Sequence, residues 1–171
     1  MPDTPAFAPA DAQALPLNVV PAGDAAGWIA AQGAAHRAWL SAQGFEGRLG
    51  SVVVLPGADG RPEAAAFGWG TASERARGRF HLAKAAEALP GGVWRIAGAL
   101  DPEEAEEAAL GWLLGAYRFD RYRSQTPPKA RLVAPAGVDA ARLEAIAAGE
   151  WLTRDLINTP AADMGPDELE A

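Results

Sequence analysis

The chain has 171 residues, no cysteine and a formal net charge of −7. Those counts exclude disulfides, thiolate chemistry and cysteine-ligated zinc, and the acidic balance argues against a surface built to neutralise nucleic-acid phosphates. With 49% hydrophobic and 22% charged residues the chain can pack one ordinary domain, yet no run nears the roughly 18 apolar residues that span a bilayer.

Residues 1–14 are rich in Pro and Ala and carry Asp3 and Asp11. They lack a basic segment followed by an apolar one, so they are no secretory signal, and the expectation is a flexible tail. Residues 15–20 (LPLNVV), bounded by Pro21 and Gly23, predict a first strand. Residues 24–43 place Trp28, Ala31, Ala35 and Trp39 at helical spacing, weakened by Gly27 and Gly33. The better helix is therefore residues 36–43, ended by Gly44. Residues 51–55 (SVVVL) form the clearest strand, a continuous β-branched run stopped by Pro56. Asp59-Gly60 supplies turn chemistry, and residues 63–69 return as the second arm of a hairpin.

Residues 81–89 predict a helix with Leu82, Ala85, Ala86 and Leu89 on one face, and residues 93–97 (VWRIA) a strand. Asp101-Pro102-Glu103-Glu104 is a helix start: Asp101 caps, Pro102 stands at the first position, and the acids suit the positive end of the dipole. That helix is expected to run to about Tyr122, with Arg118, Arg121 and Arg123 at its negative end. Residues 131–134 predict a last strand and residues 138–158 a last helix, with Leu143, Ile146, Gly149, Leu152 and Leu156 in step. Alternating strands and helices with one hairpin give an α/β fold built on a mixed β-sheet flanked by helices. From Asp163 onward Pro166, Asp167 and Glu168 open another helix, but only about one turn follows, which is not stable in water by itself. The end is thus expected to be that of a fragment.

Chemistry-bearing residues are sparse. His36 and His81 each lack a second ligand at helical spacing and predict capping or edge roles. The acids Glu103, Glu104, Glu106 and Glu107 resemble a metal-binding face but are explained by the helix dipole. Asp120 and Asp155 stand beside arginines and are expected to pair with them. Gly68-Trp69-Gly70-Thr71 has the composition of a loop whose amides cradle phosphate. Arg75, Arg77 and Arg79 with Arg118, Arg121 and Arg123 suggest basic patches. The six tryptophans are expected in the core, except that Trp151 and the stripe toward Leu156 suggest a surface that another domain covers.

Two segments carry a family resemblance. Residues 111–122 (GWLLGAYRFDRY) resemble the G-x-x-L-G-x-Y-x-F-x-x-Y helix of leucyl (cytosol) aminopeptidases, and residues 153–166 (TRDLINTPAADMGP) resemble the A-R-D-L-x-N-x-P-x-N-x-x-x-P segment that leads into their catalytic domain. Gly44-Phe45-Glu46-Gly47 and the strand after it are similar to bacterial members with short amino-terminal domains. Thr153 and Ala162 depart from the pattern, at positions that are not ligands. The resemblance implies a cytoplasmic metallo-aminopeptidase that removes amino-terminal residues from peptides, with two divalent metals, zinc or manganese, in a carboxy-terminal catalytic domain and a hexamer as the assembled form. Two metals about 4 Å apart clamp the attacking hydroxide and the substrate carbonyl; the N-T-D-A-E-G-R-L motif that helps to hold them does not occur here, and Lys84 and Lys129 stand in no matching context. No catalytic, cofactor-binding or metal-binding residue is therefore assigned, and residues 1–171 alone are expected to be inactive. The implied layout is a tail over 1–14, a macro-like α/β domain over 15–136, and a linker helix with the start of the catalytic domain over 137–171. Two rival readings are a free-standing macro-like module for ADP-ribose or another nucleotide, and a regulatory or structural subunit.

Overall fold

The computed structural model describes residues 4–98 and 100–165. Five strands, β1 (Leu15–Pro21), β2 (Val52–Pro56), β3 (Pro62–Gly70), β4 (Gly92–Ala97) and β5 (Ala130–Leu132), form one sheet in the order β2-β3-β1-β4-β5. The four strands from β3 to β5 run parallel, and β2 joins β3 antiparallel through the predicted hairpin. At its tip Gly60 takes a φ of 77°, open to glycine without strain, and the Arg61 N–H donates to Asp59 Oδ1 at 3.0 Å.

Parallel neighbours need crossover connections, and the helices supply them. The chain passes from β1 to β2 through α1 (Ala25–Ala30) and α2 (Ala34–Ala42), and from β3 to β4 through α3 (Ala72–Arg75) and α4 (Ala83–Ala88). It goes from β4 to β5 through α5 (Pro102–Gly115), and after β5 come α6 (Ala140–Asn158) and a 3-10 turn at Ala161–Asp163. Side chains alternate across a sheet, so the strands split their apolar residues between two cores. Leu17, Val19, Ala65, Phe67, Trp69 and Trp94 meet α4, α5 and α6 on one face. Val20, Leu55, Ala64 and Ala66 meet Ala25, Leu40 and Phe45 on the other. The result is the expected mixed sheet between helical layers.

The start of α5 forms as its sequence dictates. Asp101 Oδ1 accepts from the Glu104 N–H at 2.8 Å, and Pro102 occupies the first turn. Further along, a Cβ on Gly111 would lie 2.9 Å from Phe80 Cα, and one on Gly115 would lie 2.9 Å from the Ala83 carbonyl oxygen. These two glycines let the start of α4 press directly against α5.

Four expectations change. The stretch before Leu15, read as a flexible tail, is packed from Pro5 to Ala8: Phe7 and Ala8 are buried, the Phe7 N–H donates to Glu144, and Arg131 donates to the Phe7 carbonyl. Residues 24–43 form two helices rather than one good half, because the Gln32 N–H closes on the Ile29 carbonyl and extended Gly33 restarts the chain as the N-cap of α2. A short helix, α3, stands where none was predicted, closed by a capping box between Thr71 and Glu74. Finally, α5 stops at Gly115, not near Tyr122, because the Arg118 guanidinium folds back to donate to the carbonyls of Gly115 and Tyr117. The helix predicted at Pro166 lies outside the described residues.

Candidate functional site

The two segments singled out in the sequence meet in space. The Tyr117 hydroxyl, just past α5, donates to Asp155 Oδ1 on α6 at 2.7 Å and accepts from the Asn158 side-chain amide at 3.2 Å. The Trp151 ring meets Tyr117 edge-on with centroids 5.8 Å apart, and its Nε1–H donates to the Leu113 carbonyl at 3.2 Å. Arg154 lies over the Tyr117 ring, 5.4 Å from its centroid, and donates to the Leu114 carbonyl. Beyond α6 the contacts continue: Arg121 reaches the Thr159 hydroxyl, and the Tyr122 hydroxyl donates to Asp163. The Leu113 and Leu114 carbonyls at the end of α5, which accept from the Ala116 and Tyr117 N–H groups, thereby gain second donors from side chains of α6.

This network fastens two helices together. Burial, then the bond to Asp155, push the Tyr117 hydroxyl above its ordinary value of 10.0. The Tyr122 hydroxyl is raised mainly by its bond to Asp163. A phenol held in its protonated form is a donor and not a base. Beside the network lies a cleft of about 490 Å³ lined by Trp112, Tyr117, Arg118, Arg131, Trp151 and Asp155, among others. Asp120 lines it too. Asp155, expected to pair with an arginine, is held by the Tyr117 hydroxyl instead, while its neighbour Arg154 pairs with Glu150 at 3.1 Å. Sequence reading missed this use of Tyr117 and Trp151; the available signal was an aromatic residue in the second half of each of the last two long predicted helices.

The other candidates are spent on structure. His36 Nε2 lies 3.1 Å from the Pro56 carbonyl, and His81 Nε2 lies 3.1 Å from the Arg75 carbonyl. Glu104 pairs with Arg75 at 3.2 Å and accepts from the Trp69 indole, Glu107 pairs with Arg79 at 2.9 Å, and Glu106 pairs with Arg142. The acidic face and part of the basic patch thus neutralise each other. Among the described residues, no group of three or more His, Asp or Glu side chains is placed to hold a metal ion. In the glycine-containing loop the N–H groups of Gly68, Gly70 and Thr71 donate to Ser51, Gly47 and Glu74 respectively, so they are not turned toward a phosphate. Among the described residues no helix is long and apolar enough to cross a membrane.

Comparison with known proteins places this geometry. The family model described as the M17 aminopeptidase N-terminal domain matches residues 15–135. The chain belongs to this family. A probable cytosol aminopeptidase of Leifsonia xyli subsp. xyli is 34% identical to it over 140 residues, covering 74% of this chain and 28% of that protein. The crystal structure of the cytosol aminopeptidase from Coxiella burnetii matches with a TM-score of 0.81 at 30% identity, over 92% of this chain and 34% of that one. The bottromycin maturation enzyme BotP, solved in complex with Mn, matches with a TM-score of 0.64 at 30% identity, again over 92% of this chain and 34% of its own. This M17 amino-terminal domain spans about a third of the length of such relatives.

Proposed function

We propose that this chain is the non-catalytic amino-terminal domain of a dinuclear-metal aminopeptidase that removes amino-terminal residues from peptides. Its own work is assembly and control of access to a catalytic domain that follows it. The observation that carries this reading is the family match over residues 15–135, in a chain whose motif residues are engaged in contacts between helices.

On this reading the two divalent metals, zinc or manganese, belong to the following domain, in keeping with the Mn complex of BotP. The residues described here do not fit such a pair. Glu104, Glu106 and Glu107 are committed to arginines, and both histidines to backbone carbonyls. No step through a metal is assigned to this chain. A macro-like architecture, a cytoplasmic location and a hexameric assembly complete the proposal. The rival reading of a nucleotide module draws no support from Gly68–Thr71, whose amides serve the fold.

Hydrolysis of leucine p-nitroanilide tests the reading, with the full-length polypeptide and the 171-residue chain compared in the presence and absence of Mn²⁺. Metal-dependent turnover is expected from the first and none from the second. Turnover by the short chain, or none by the full-length polypeptide with Mn²⁺ or with Zn²⁺ in its place, overturns the reading. Micromolar binding of ADP-ribose by calorimetry would support the nucleotide module instead.

A further inference from the structure

We infer that Trp39 and His36 of α2 guard the outer edge of β2, holding it closed against the β2 strand of a second copy of this chain. An edge strand presents unpaired N–H and C=O groups on which another chain can pair. β2 is the outer strand on one side of the sheet, and its sequence invites such pairing. The run VVVLP is apolar, mostly β-branched and uncharged, and Val52, Val53 and Val54 are only half-buried. The guard residues stand three apart on one side of α2. The Trp39 Nε1–H donates to the Val54 carbonyl at 3.0 Å, and His36 Nε2 lies 3.1 Å from the Pro56 carbonyl. A carbonyl oxygen only accepts, so that His36 nitrogen carries the proton.

Backbone phase shows what the two contacts achieve. Along an antiparallel strand, residues turn their N–H and C=O alternately toward the partner strand and away from it. The Ser51 carbonyl accepts from the Gly68 N–H of β3, whereas the Val54 carbonyl is turned to Trp39. In the observed register Val52, Val54 and Pro56 therefore face outward. An incoming strand needs a donor and an acceptor from each. Trp39 takes the Val54 acceptor, His36 takes the Pro56 acceptor, and proline has no N–H to offer. Only Val52 keeps both groups, and one residue makes no ladder. Trp39 is also the one exposed tryptophan of the six, at 43%, so core packing does not account for it. At the opposite edge the chain uses its own backbone: the Ala8 N–H donates to the Leu132 carbonyl at 2.8 Å, and Ala8 bridges Val133. The occupant that β2 must exclude is its own copy, because an antiparallel pair of identical strands satisfies itself about a two-fold axis.

The test compares the 171-residue chain with its Trp39→Ala/His36→Ala variant by light scattering and amide hydrogen exchange. The unsubstituted chain sets the reference mass and the reference exchange of the Val54 amide, which points to the open edge. As concentration rises, the variant is expected to reach about double the reference mass, and its Val54 amide to exchange at least roughly tenfold more slowly. Adding Val54→Pro removes that outward N–H and should return the mass to the reference. Leu143→Ala, which opens the core at α6 and leaves the β2 edge alone, should keep the reference mass. A folded double variant with unchanged mass and unchanged Val54 exchange overturns the proposal. So does an equal rise in mass for Leu143→Ala, or a rise that Val54→Pro leaves in place, because association would then come from lost stability and not from the edge. If the double variant does not fold, Trp39→Phe carries the test, since it keeps an aromatic ring and loses the donor. Slower Val54 exchange at high concentration is expected of it, and exchange equal to the reference overturns the proposal.

Discussion

Tyr117→Phe tests whether the two motif segments form one fastening. The substitution removes a single oxygen, which donates to Asp155 at 2.7 Å and accepts from Asn158 at 3.2 Å, and leaves the ring against Trp151 in place. A hydrogen bond to a charged partner contributes about 1.5–3 kcal/mol when shielded. Both partners here are partly exposed, and water can replace the lost donor on Asp155, so the expected cost is about 1 kcal/mol after discounting for screening. For a domain of this size that lowers the melting temperature by about 2–4 °C. Asp155→Asn should cost a similar amount, and urea unfolding of both single variants and the double variant yields the coupling. A coupling of about 0.5–1 kcal/mol is expected for groups in direct contact. Ultraviolet titration of the tyrosines supplies a second readout. The raised Tyr117 contributes stability that is fully present below pH 10.0 and is lost as pH rises through its higher folded value. Asp155→Asn removes one of the raising causes and should move the titration down. Additive single costs, within about 0.3 kcal/mol, together with an unmoved titration would refute the fastening.

Three further outcomes follow from other parts of the fold. Gly68→Ala places a Cβ 2.0 Å from the Arg48 carbonyl oxygen and 2.7 Å from the Gly47 carbonyl carbon; the rigid backbone cannot yield, so urea unfolding should show a loss of about 3 kcal/mol or more, and a neutral result would mean that β3 does not pass the 47–51 loop as described. Phe7→Ala should cost about 3 kcal/mol in the same assay, because Phe7 is buried in the main core, whereas a residue in a loose tail would cost nothing. The Glu74 carboxyl is held below its ordinary 4.5 by hydrogen bonds from the Thr71 N–H, first, and the Thr71 hydroxyl. Its contribution is therefore present above pH 4.5 and lost as pH falls through the lowered value; carboxyl NMR should show Glu74 titrating below 4.5, and a value at or above it would contradict the capping box.

Strands announced themselves because their signals are local. The SVVVL run and the Asp-Gly turn carry the hairpin within a few residues, and the strand positions of Leu17 and Phe67 follow from alternation. Helix α3 was not predicted: Thr71 and Glu74 stand at capping-box spacing, but a four-residue element leaves no periodicity to find. The placement of Phe7 was not legible. Its partners Arg131 and Glu144 lie more than a hundred residues away, and a Pro-Ala stretch has no pattern of its own. The end of α5 was misread for a related reason. Tyr117 and Tyr122 continue an apparently helical order of aromatic residues, and the fold-back of Arg118 onto the Gly115 and Tyr117 carbonyls, with the contacts of Tyr117 to Asp155 and of Tyr122 to Asp163, has no local pattern to announce it.

Charge explains how the fold uses the acidic and basic blocks that the sequence displays. Read along the chain, Glu103 to Glu107 is a block of acid and Arg75 to Arg79 a block of base, and each alone suggests a ligand of opposite sign. The crossover that packs α4 against α5 brings the blocks together: Arg75 meets Glu104 and Arg79 meets Glu107, while Arg142 from α6 takes Glu106. Where exposed, pairs of this kind contribute little stability, and each partner offsets part of the other's local potential.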